Sequence, residues 1–247
     1  MVPPLIIAHR GFSAEAPENT LIAFQRALDV GARLAECDVH PTRDGQLVLL
    51  HDHTLERTTN GSGPVAEKTL AELRQLDAGS WKDARFAGER LPTLAETLGL
   101  TKGRMILVVE IKVEGITEAV LDAIRQQQAE EEVIIVSFSY ETCRRSRELA
   151  PVIPVAWLGS GVPDEDVEDA RELVRLALLG SFQALSVEHG GASGTLREQT
   201  RLAGLGLWAW TVDTPDEIAE LAEDGVDIIT TNRPDMGLAT LREWSEE

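Results

Sequence analysis

The sequence predicts an α/β fold, a (β/α)8 TIM barrel with a small insertion after the second strand. Three observations predict it. The chain has 247 residues, of which 43% are hydrophobic. Eight short apolar runs alternate with amphipathic segments, and one stretch interrupts that alternation. About 250 residues is the usual size of a barrel with one core, so we expect a single domain over 1–247.

The eight apolar runs are the expected parallel strands. They span 5–8, 33–39, 105–111, 133–138, 153–158, 183–188, 207–212 and 226–230. Helix-like segments lie near 18–30, 92–100, 116–129, 140–149, 164–179, 195–203, 214–224 and 234–246. Several open with helix start signals, such as PENT before residue 21 and DTPDE at 213. Regular alternation of strand and helix indicates a parallel sheet closed by helices.

The interruption begins with CDVHPTRDGQLVLLHD. The pair Asp44-Gly45 between alternating apolar residues predicts a hairpin with a two-residue turn. Such a turn would place Asp38 opposite His51 and Glu36 opposite His53. Residues 52–91 follow, rich in Thr, Gly and Asp. We expect them to form a small insertion over the barrel rim, too short and polar for a core of its own.

Composition excludes several classes of protein. The formal net charge of −19 argues against nucleic-acid binding and against docking on anionic membranes. No apolar run approaches the roughly 20 residues of a membrane span, and the N-terminal stretch lacks the pattern of a secretory signal. Cys37 and Cys143 show no metal-ligand spacing. We expect a cytoplasmic protein, monomeric or dimeric, with a small-molecule partner and no nucleic-acid partner.

The active site of such a barrel lies at the C-terminal ends of its strands. Residues two apart on a strand point to the same face, so paired charges at a strand end act together. The first three strands end in the charged residues His9, Arg10, Glu36, Asp38, Glu110 and Lys112. The returning hairpin brings His51, and later strands end in Phe138, Glu188 and Trp210.

Three of these residues are candidate metal ligands. Glu36, Asp38 and Glu110 would repel one another at one rim unless positive charge lay between them. Carboxylate oxygens suit one divalent cation, Mg²⁺ or Ca²⁺, and Mn²⁺ also fits the set. The alternative is a salt-bridge network in which Arg10 and Lys112 neutralise the carboxylates.

The two histidines are candidates for proton transfer. His9 and His51, beside carboxylates and an Arg, suit a general acid and a general base. Arg10 can hold two phosphate oxygens in a bidentate fork, and Lys112 adds a point charge. The combination fits in-line substitution at phosphorus. No nucleophile elbow for acyl transfer and no dinucleotide-binding glycine motif is found.

Other residues near the expected rim are assigned smaller roles. His40 and His53 are expected to face solvent. Trp210 could wall the pocket for a glycerol or alcohol group, and Phe138 and Glu188 are further candidate substrate contacts. Trp208, two residues earlier, is expected in a deeper layer of the barrel.

The chain resembles the glycerophosphodiester phosphodiesterase family. The matching stretches are AHRGFSAEAPENT, ECDVHPTRDGQLVLLHDHTLERTTNGSG, ERLPTLAETL, EIK, SF and DGVDIITTNRPD. The resemblance implies a (β/α)8 barrel and metal-dependent hydrolysis of glycerophosphodiesters to sn-glycerol 3-phosphate and an alcohol. It implies Glu36, Asp38 and Glu110 as metal ligands, His9 and His51 as the acid–base pair, and Arg10 and Lys112 as phosphate contacts. It also suggests that a neighbouring glycerol hydroxyl attacks phosphorus first.

One position departs from the family pattern. The family usually reads T-D-x-P near the last strand, and this chain has Asn232 in place of the Asp. The expectation is an effect on substrate preference. Two other functions stay open: a lysophospholipase D-type phosphodiesterase on the same scaffold, and a non-catalytic anion-binding barrel. The sequence does not select among choline, ethanolamine, glycerol and inositol headgroups.

Overall fold

A computed structural model describes residues 2–246. Its nine-stranded sheet closes on itself, because the first strand pairs in parallel with both the second and the last. The eight parallel strands are β1 Leu5–Ala8, β2 Leu34–Pro41, β4 Ile106–Ile111, β5 Val133–Ser137, β6 Val155–Gly159, β7 Ala184–Glu188, β8 Gly206–Trp210 and β9 Ile228–Thr231. The strand β3 Leu47–Leu49 joins the barrel as an antiparallel hairpin on β2. The predicted barrel is confirmed.

Helices occupy the expected places between the strands. They are α1 Leu21–Asp29, α2 Leu70–Leu73, α3 Leu94–Thr101, α4 Thr117–Gln126, α5 Tyr140–Leu149, α6 Val167–Leu179, α7 Gly194–Ala203, α8 Pro215–Glu223 and α9 Pro234–Glu246. A Ser or Thr side chain caps most of the long ones: Thr20 accepts from the third amide of α1, and Thr93 forms a capping box with Glu96. Such caps satisfy amides that have no partner inside the helix. No helix within 2–246 is long and apolar enough to cross a membrane.

Two apolar layers hold the barrel together. The larger lies between the sheet and the helices and contains fully buried side chains such as Phe24 and Leu121. The smaller fills the barrel interior with Ile7, Leu34, Val108, Val136, Ala156, Leu158, Ala184, Trp208 and Ile228. Trp208 is 7% exposed there, which confirms the deeper layer predicted for it.

Along each strand the inward-facing positions continue from the barrel interior to its open C-terminal end. Successive inward positions on β2 are Leu34, Glu36 and Asp38, because side chains two apart share a face. On β4 the same alternation leads from Val108 to Glu110. An apolar barrel floor therefore gives way to carboxylates at the strand ends.

The hairpin differs from the prediction by one residue. Val39 pairs with Leu49 and Pro41 with Leu47, which places Asp38 opposite Leu50 and not opposite His51. The type I′ two-residue turn that Asp-Gly favours would need a positive φ at both central residues. Gly45 alone takes that conformation, with a φ of 76°. The loop therefore has three residues and ends in a left-handed glycine.

Residues 50–93 lie between β3 and α3 and contain two short 3₁₀ turns and α2. Together with Val48 of β3 they form a small apolar cluster: Leu50, Leu55, Val65, Leu73, Ala78 and Leu91. The cluster starts on the hairpin itself. A second contact, Phe86 against Ala16 and Ala23, fixes the stretch to α1.

Candidate active site

A cavity of about 120 Å³ opens at the C-terminal end of the barrel. Its floor is apolar, with Ile7, Val108, Val136, Leu158 and Trp208. Its upper wall carries eight of the residues singled out from sequence: His9, Arg10, Glu36, His51, Glu110, Lys112, Phe138 and Trp210. Ser186, Thr211 and Thr230, which sequence reasoning did not single out, complete the lining. Asp38 lies beside this wall and is 1% exposed.

The three carboxylates do converge. One oxygen each from Glu36, Asp38 and Glu110 lies within 4.8 Å of the others. Two cations contact them: the Nζ atom of Lys112 lies 2.7 Å from Glu110 Oε1 and 3.2 Å from Asp38 Oδ1. The Nε atom of Arg10 lies 3.2 Å from Asp38 Oδ2. The predicted salt-bridge network and the acidic cluster are thus present together.

The carboxyl groups differ in how easily they ionise. Burial, with repulsion from Asp38 and Glu110, raises the pKa of Glu36 well above its usual value. Burial and Asp38 raise the pKa of Glu110 to about 7. Burial also opposes ionisation of Asp38, but Arg10 and Lys112 outweigh it and lower its pKa to about 2. Asp38 is the permanent anion, and each of the two glutamates gives up its proton less readily than an ordinary carboxyl group unless another cation joins the cluster.

The cluster fits a divalent cation. Within residues 2–246, Glu36 Oε1 is buried and has neither a hydrogen-bond donor nor an ion-pair partner, whereas Asp38 Oδ1 has only the Lys112 ammonium, 3.2 Å away. Buried polar oxygens without a partner are costly and call for one. A divalent cation would supply it and would replace the protons on the glutamates. Oxygen donors of this kind suit hard cations such as Mg²⁺ and Ca²⁺.

Asn19 orders the cluster and was missed in the sequence. Its Nδ2 donates to Asp38 Oδ2 at 2.8 Å, and its Oδ1 accepts from the Asp38 amide at 3.2 Å. Asn19 has a φ of 57°, a left-handed conformation that Asn tolerates better than most residues. In the sequence the PENT stretch serves as a helix start signal and as part of the family resemblance, and neither pattern indicates this contact with β2.

His9 is partly buried and is hydrogen-bonded on one side. Its Nδ1 lies 2.8 Å from Asn232 Oδ1, and its Nε2 lies 4.0 Å from Glu36 Oε2. Burial and the neighbouring Arg10 lower the pKa of His9 to about 4. The ring is therefore neutral at pH 7, with one nitrogen on Asn232 and the other toward the carboxylates. Asn232, expected to bear on substrate preference, instead contacts a candidate catalytic residue.

His51 is held by an ion-pair network from the segment 50–93. Its Nδ1 lies 2.8 Å from Asp52 Oδ1, and Arg57 Nε lies 2.7 Å from Asp52 Oδ2. Hydrogen bonds from Arg57, with a further one from His51, lower the pKa of Asp52. Arg57 and Arg10 each also contact Glu18 at 2.8 Å. Asp52, Arg57 and Glu18 were not singled out in the sequence, since surface ion pairs leave no periodic signal.

His40 and His53 behave differently from each other. His53 is exposed, as expected. The expectation for His40 is wrong, because it is 4% exposed and its Nε2 lies 3.2 Å from the backbone oxygen of His51. The hairpin and the segment after it cover this part of β2. His40 therefore supports the backbone that carries His51.

An aromatic wall faces the charged side. The rings of Phe138 and Trp210 meet edge to face with centroids 5.8 Å apart, and Phe138 is 52% exposed. Trp210 Nε1 donates to the backbone oxygen of Ser186 at 3.2 Å. Glu188, at the end of β7, has an exposed side chain and is not among the described residues that line the cavity. Its role in substrate binding stays a prediction.

The fold and the cavity together define a class of protein: a (β/α)8-barrel enzyme whose mouth combines two partly buried cations, an acidic cluster and two histidines. Comparison with known proteins agrees. Residues 9–236 match the model of the glycerophosphoryl diester phosphodiesterase family. The chain is 38% identical over 237 residues to a glycerophosphodiester phosphodiesterase of Caldanaerobacter subterraneus subsp. tengcongensis, covering 94% of this chain and 95% of the relative.

Solved structures are similar over almost the full length. A glycerophosphodiester phosphodiesterase from Agrobacterium tumefaciens superposes with a TM-score of 0.83 at 31% identity, covering 96% of this chain and 99% of that one. A phosphodiesterase from Oleispira antarctica, solved in complex with the product sn-glycerol-3-phosphate, gives a TM-score of 0.86 at 29% identity with 97% of each chain covered. The chain belongs to the glycerophosphoryl diester phosphodiesterase family, and it is a phosphoric diester hydrolase.

Proposed function

We propose that the protein hydrolyses glycerophosphodiesters, such as glycerophosphocholine and glycerophosphoethanolamine, to sn-glycerol 3-phosphate and an alcohol. One observation carries the proposal. A single cavity is lined by His9, His51, Arg10 and Lys112 beside a buried carboxylate cluster. The sn-glycerol-3-phosphate bound to the Oleispira antarctica relative supports the glycerol phosphate half of the substrate.

Arg10 and Lys112 are proposed to hold the phosphodiester. The guanidinium matches two phosphate oxygens, and the ammonium adds a second positive charge. The protein as a whole has a net charge of −19, which repels anions. The positive charge of these two side chains is proposed to offset that repulsion locally and so allow an anion to bind. Glu36, Asp38 and Glu110 are proposed to hold one divalent cation, Mg²⁺ or Ca²⁺, with Mn²⁺ a further fit. When bound, the cation neutralises charge on the phosphoryl oxygens.

The two histidines are proposed to move the protons. His9 is neutral, and its Nε2 can take the proton from the attacking hydroxyl as that oxygen bonds to phosphorus. His51, held by Asp52, can give a proton to the leaving alkoxide as its bond to phosphorus breaks. The attacking hydroxyl is water or, as the resemblance suggests, the neighbouring hydroxyl of the glycerol. In the second case a cyclic phosphate forms first and water opens it.

The test is release of glycerol 3-phosphate from glycerophosphocholine by the purified chain. We expect no release in EDTA and restored release with Mg²⁺, Ca²⁺ or Mn²⁺. A glycerol phosphomonoester serves as control, because a phosphatase would hydrolyse it and this enzyme should not. Turnover of lysophosphatidylcholine with none of glycerophosphocholine would replace the proposal with lysophospholipase D activity. A folded protein that cleaves neither with any metal would contradict it.

The cyclic route has its own measurement. Rapid-quench samples should contain a glycerol cyclic phosphate before glycerol 3-phosphate accumulates. Incorporation of solvent oxygen in a single step without that species would instead assign the attack to water.

A further inference from the structure

The loop after β8 carries a carboxylate that the proposed chemistry does not use. Asp213 accepts three hydrogen bonds, from Thr231 Oγ1 at 3.0 Å, from the Asn232 amide at 2.8 Å, and from Asn232 Nδ2 at 2.6 Å. Asp213 thus joins the end of β8 to the end of β9. It also accepts a hydrogen bond from the side chain of Asn232, which in turn contacts His9.

These contacts determine which way the Asn232 amide points. An ionised carboxylate can only accept hydrogen bonds, so the NH₂ group of Asn232 must face Asp213. The carbonyl oxygen Oδ1 is then turned toward His9 Nδ1, at 2.8 Å, and toward the hydroxyl of Ser13, at 2.8 Å. The opposite orientation would face the Asp213 carboxylate with an acceptor, whereas the Ser13 hydroxyl can donate or accept and so does not select between the two.

The amide orientation determines in turn the tautomer of His9. A carbonyl oxygen cannot donate, so His9 Nδ1 must carry the ring proton. In a neutral imidazole the other nitrogen, Nε2, then has the free lone pair. That nitrogen is the one on the side of Glu36 and the cavity.

We propose that Asp213 is a positioning residue: by orienting the Asn232 amide, it keeps the proton of His9 on Nδ1 and leaves Nε2 free to accept one. The consequence for catalysis rests on the proposed function, in which His9 Nε2 is the base. The tautomer itself does not, and it can be measured without substrate.

The decisive variant is Asp213→Asn. The oxygen of the new amide can still accept from the Asn232 backbone and from Thr231. Its NH₂ group then faces the NH₂ group of Asn232, so Asn232 must turn over and present Nδ2 to His9. His9 Nδ1 becomes an acceptor and the ring proton moves to Nε2. Removing general base catalysis costs about 10²-fold or more in turnover, so we expect kcat to fall by about that factor with KM changed less than about threefold.

The readout is the ¹H–¹⁵N spectrum of the histidine rings in the full ¹⁵N-labelled chain, at pH 8 in EDTA, with His9→Gln used to assign the signal. Wild type should show the proton on Nδ1, and Asp213→Asn should show it on Nε2. The matched control is Asp216→Asn, which removes the same charge from an exposed position at the start of α8. It should leave both the tautomer and kcat unchanged.

The exchange variant, Asp213→Asn with Asn232→Asp, provides the rescue. The carboxylate now at 232 accepts from His9 Nδ1 and from the amide now at 213, so the proton should return to Nδ1 and kcat should recover to within about tenfold of wild type. If Asp213→Asn does not fold, Asn232→Ala removes the acceptor instead and should abolish the preference for Nδ1.

A His9 proton that stays on Nδ1 in folded Asp213→Asn or in folded Asn232→Ala overturns the inference. The expected tautomers in a chain that cleaves no phosphodiester would support the positioning role and contradict the proposed function, so the two failures are distinguishable.

Discussion

Divalent-cation binding should strengthen steeply between pH 6 and pH 8. With a pKa of about 7, Glu110 holds a proton at pH 6 and has lost it at pH 8. A cation must displace that proton, so protonation competes with binding at the lower pH. Glu110 alone then gives about a tenfold tighter apparent Kd at pH 8 than at pH 6, or about 1.4 kcal/mol.

Two other groups set the bounds on this effect. The pKa of Glu36 is also raised by burial, so its proton adds to the dependence in the same direction. Asp38, with a pKa of about 2, is ionised at both pH values and adds nothing. About tenfold is therefore the lower limit, and between one and two protons should be released for each cation bound near pH 6.

The assay is isothermal titration calorimetry with Mg²⁺, Ca²⁺ and Mn²⁺ at both pH values, in two buffers of different ionisation enthalpy. The buffer dependence of the heat counts the protons. Glu110→Gln should bind more weakly at pH 8 and lose its share of the pH dependence. Glu118→Gln, an exposed glutamate paired with Arg145 on the outer helices, is the control. Equal Kd values at the two pH values, with no proton released, would refute the reasoning.

The remaining predictions concern catalysis and stability. His9→Ala and His51→Ala should each lower turnover by about 10²-fold or more with folding intact, while His53→Ala, on an exposed ring nearby, should not; near-normal turnover in either of the first two would remove that residue from the mechanism. Phe24→Ala, at a fully buried site between sheet and helices, should lower the free energy of unfolding by about 3–5 kcal/mol in chemical denaturation, and a loss under about 1 kcal/mol would mean that this layer packs loosely. Gly11→Ala should lower both stability and turnover, since Gly11 has a φ of 78° and a Cβ would lie 2.6 Å from a backbone carbon of α1; thermal unfolding together with kcat checks it, and an unchanged kcat would show that the loop after β1 tolerates the shift.

The sequence predicts the barrel well because its signals are local. Apolar runs and helix caps need only neighbouring residues, and all eight parallel strands lie where the runs predict them. The hairpin register is predicted less accurately than the strands and helices. Asp44-Gly45 suits a two-residue turn, but the side chain of Asp44 is engaged by Thr42 and by the backbone of Leu70. That long-range contact favours the three-residue loop.

The candidate site likewise contains residues that local sequence signals predict and residues that they do not. Strand periodicity is enough to place Glu36, Asp38 and Glu110 at one rim. It cannot find Asn19 or Asp213, because their contacts depend on how loops from distant parts of the chain meet. Asn232 is the clearest case. In the sequence it is a departure from the family motif that suggests altered substrate preference, and in the structure its side chain contacts His9.

Arg57 lies in the stretch after the hairpin, yet it bridges Asp52, which holds His51, and Glu18, which holds Arg10. The stretch is therefore not an independent module. A chimera that grafts residues 50–93 from a relative onto this barrel would replace His51, Asp52 and Arg57 together but would keep the Glu18 of this chain. Such a graft should keep activity only when it supplies an arginine at the position of Arg57, since that side chain is what ties the new segment to Glu18 and, through it, to Arg10.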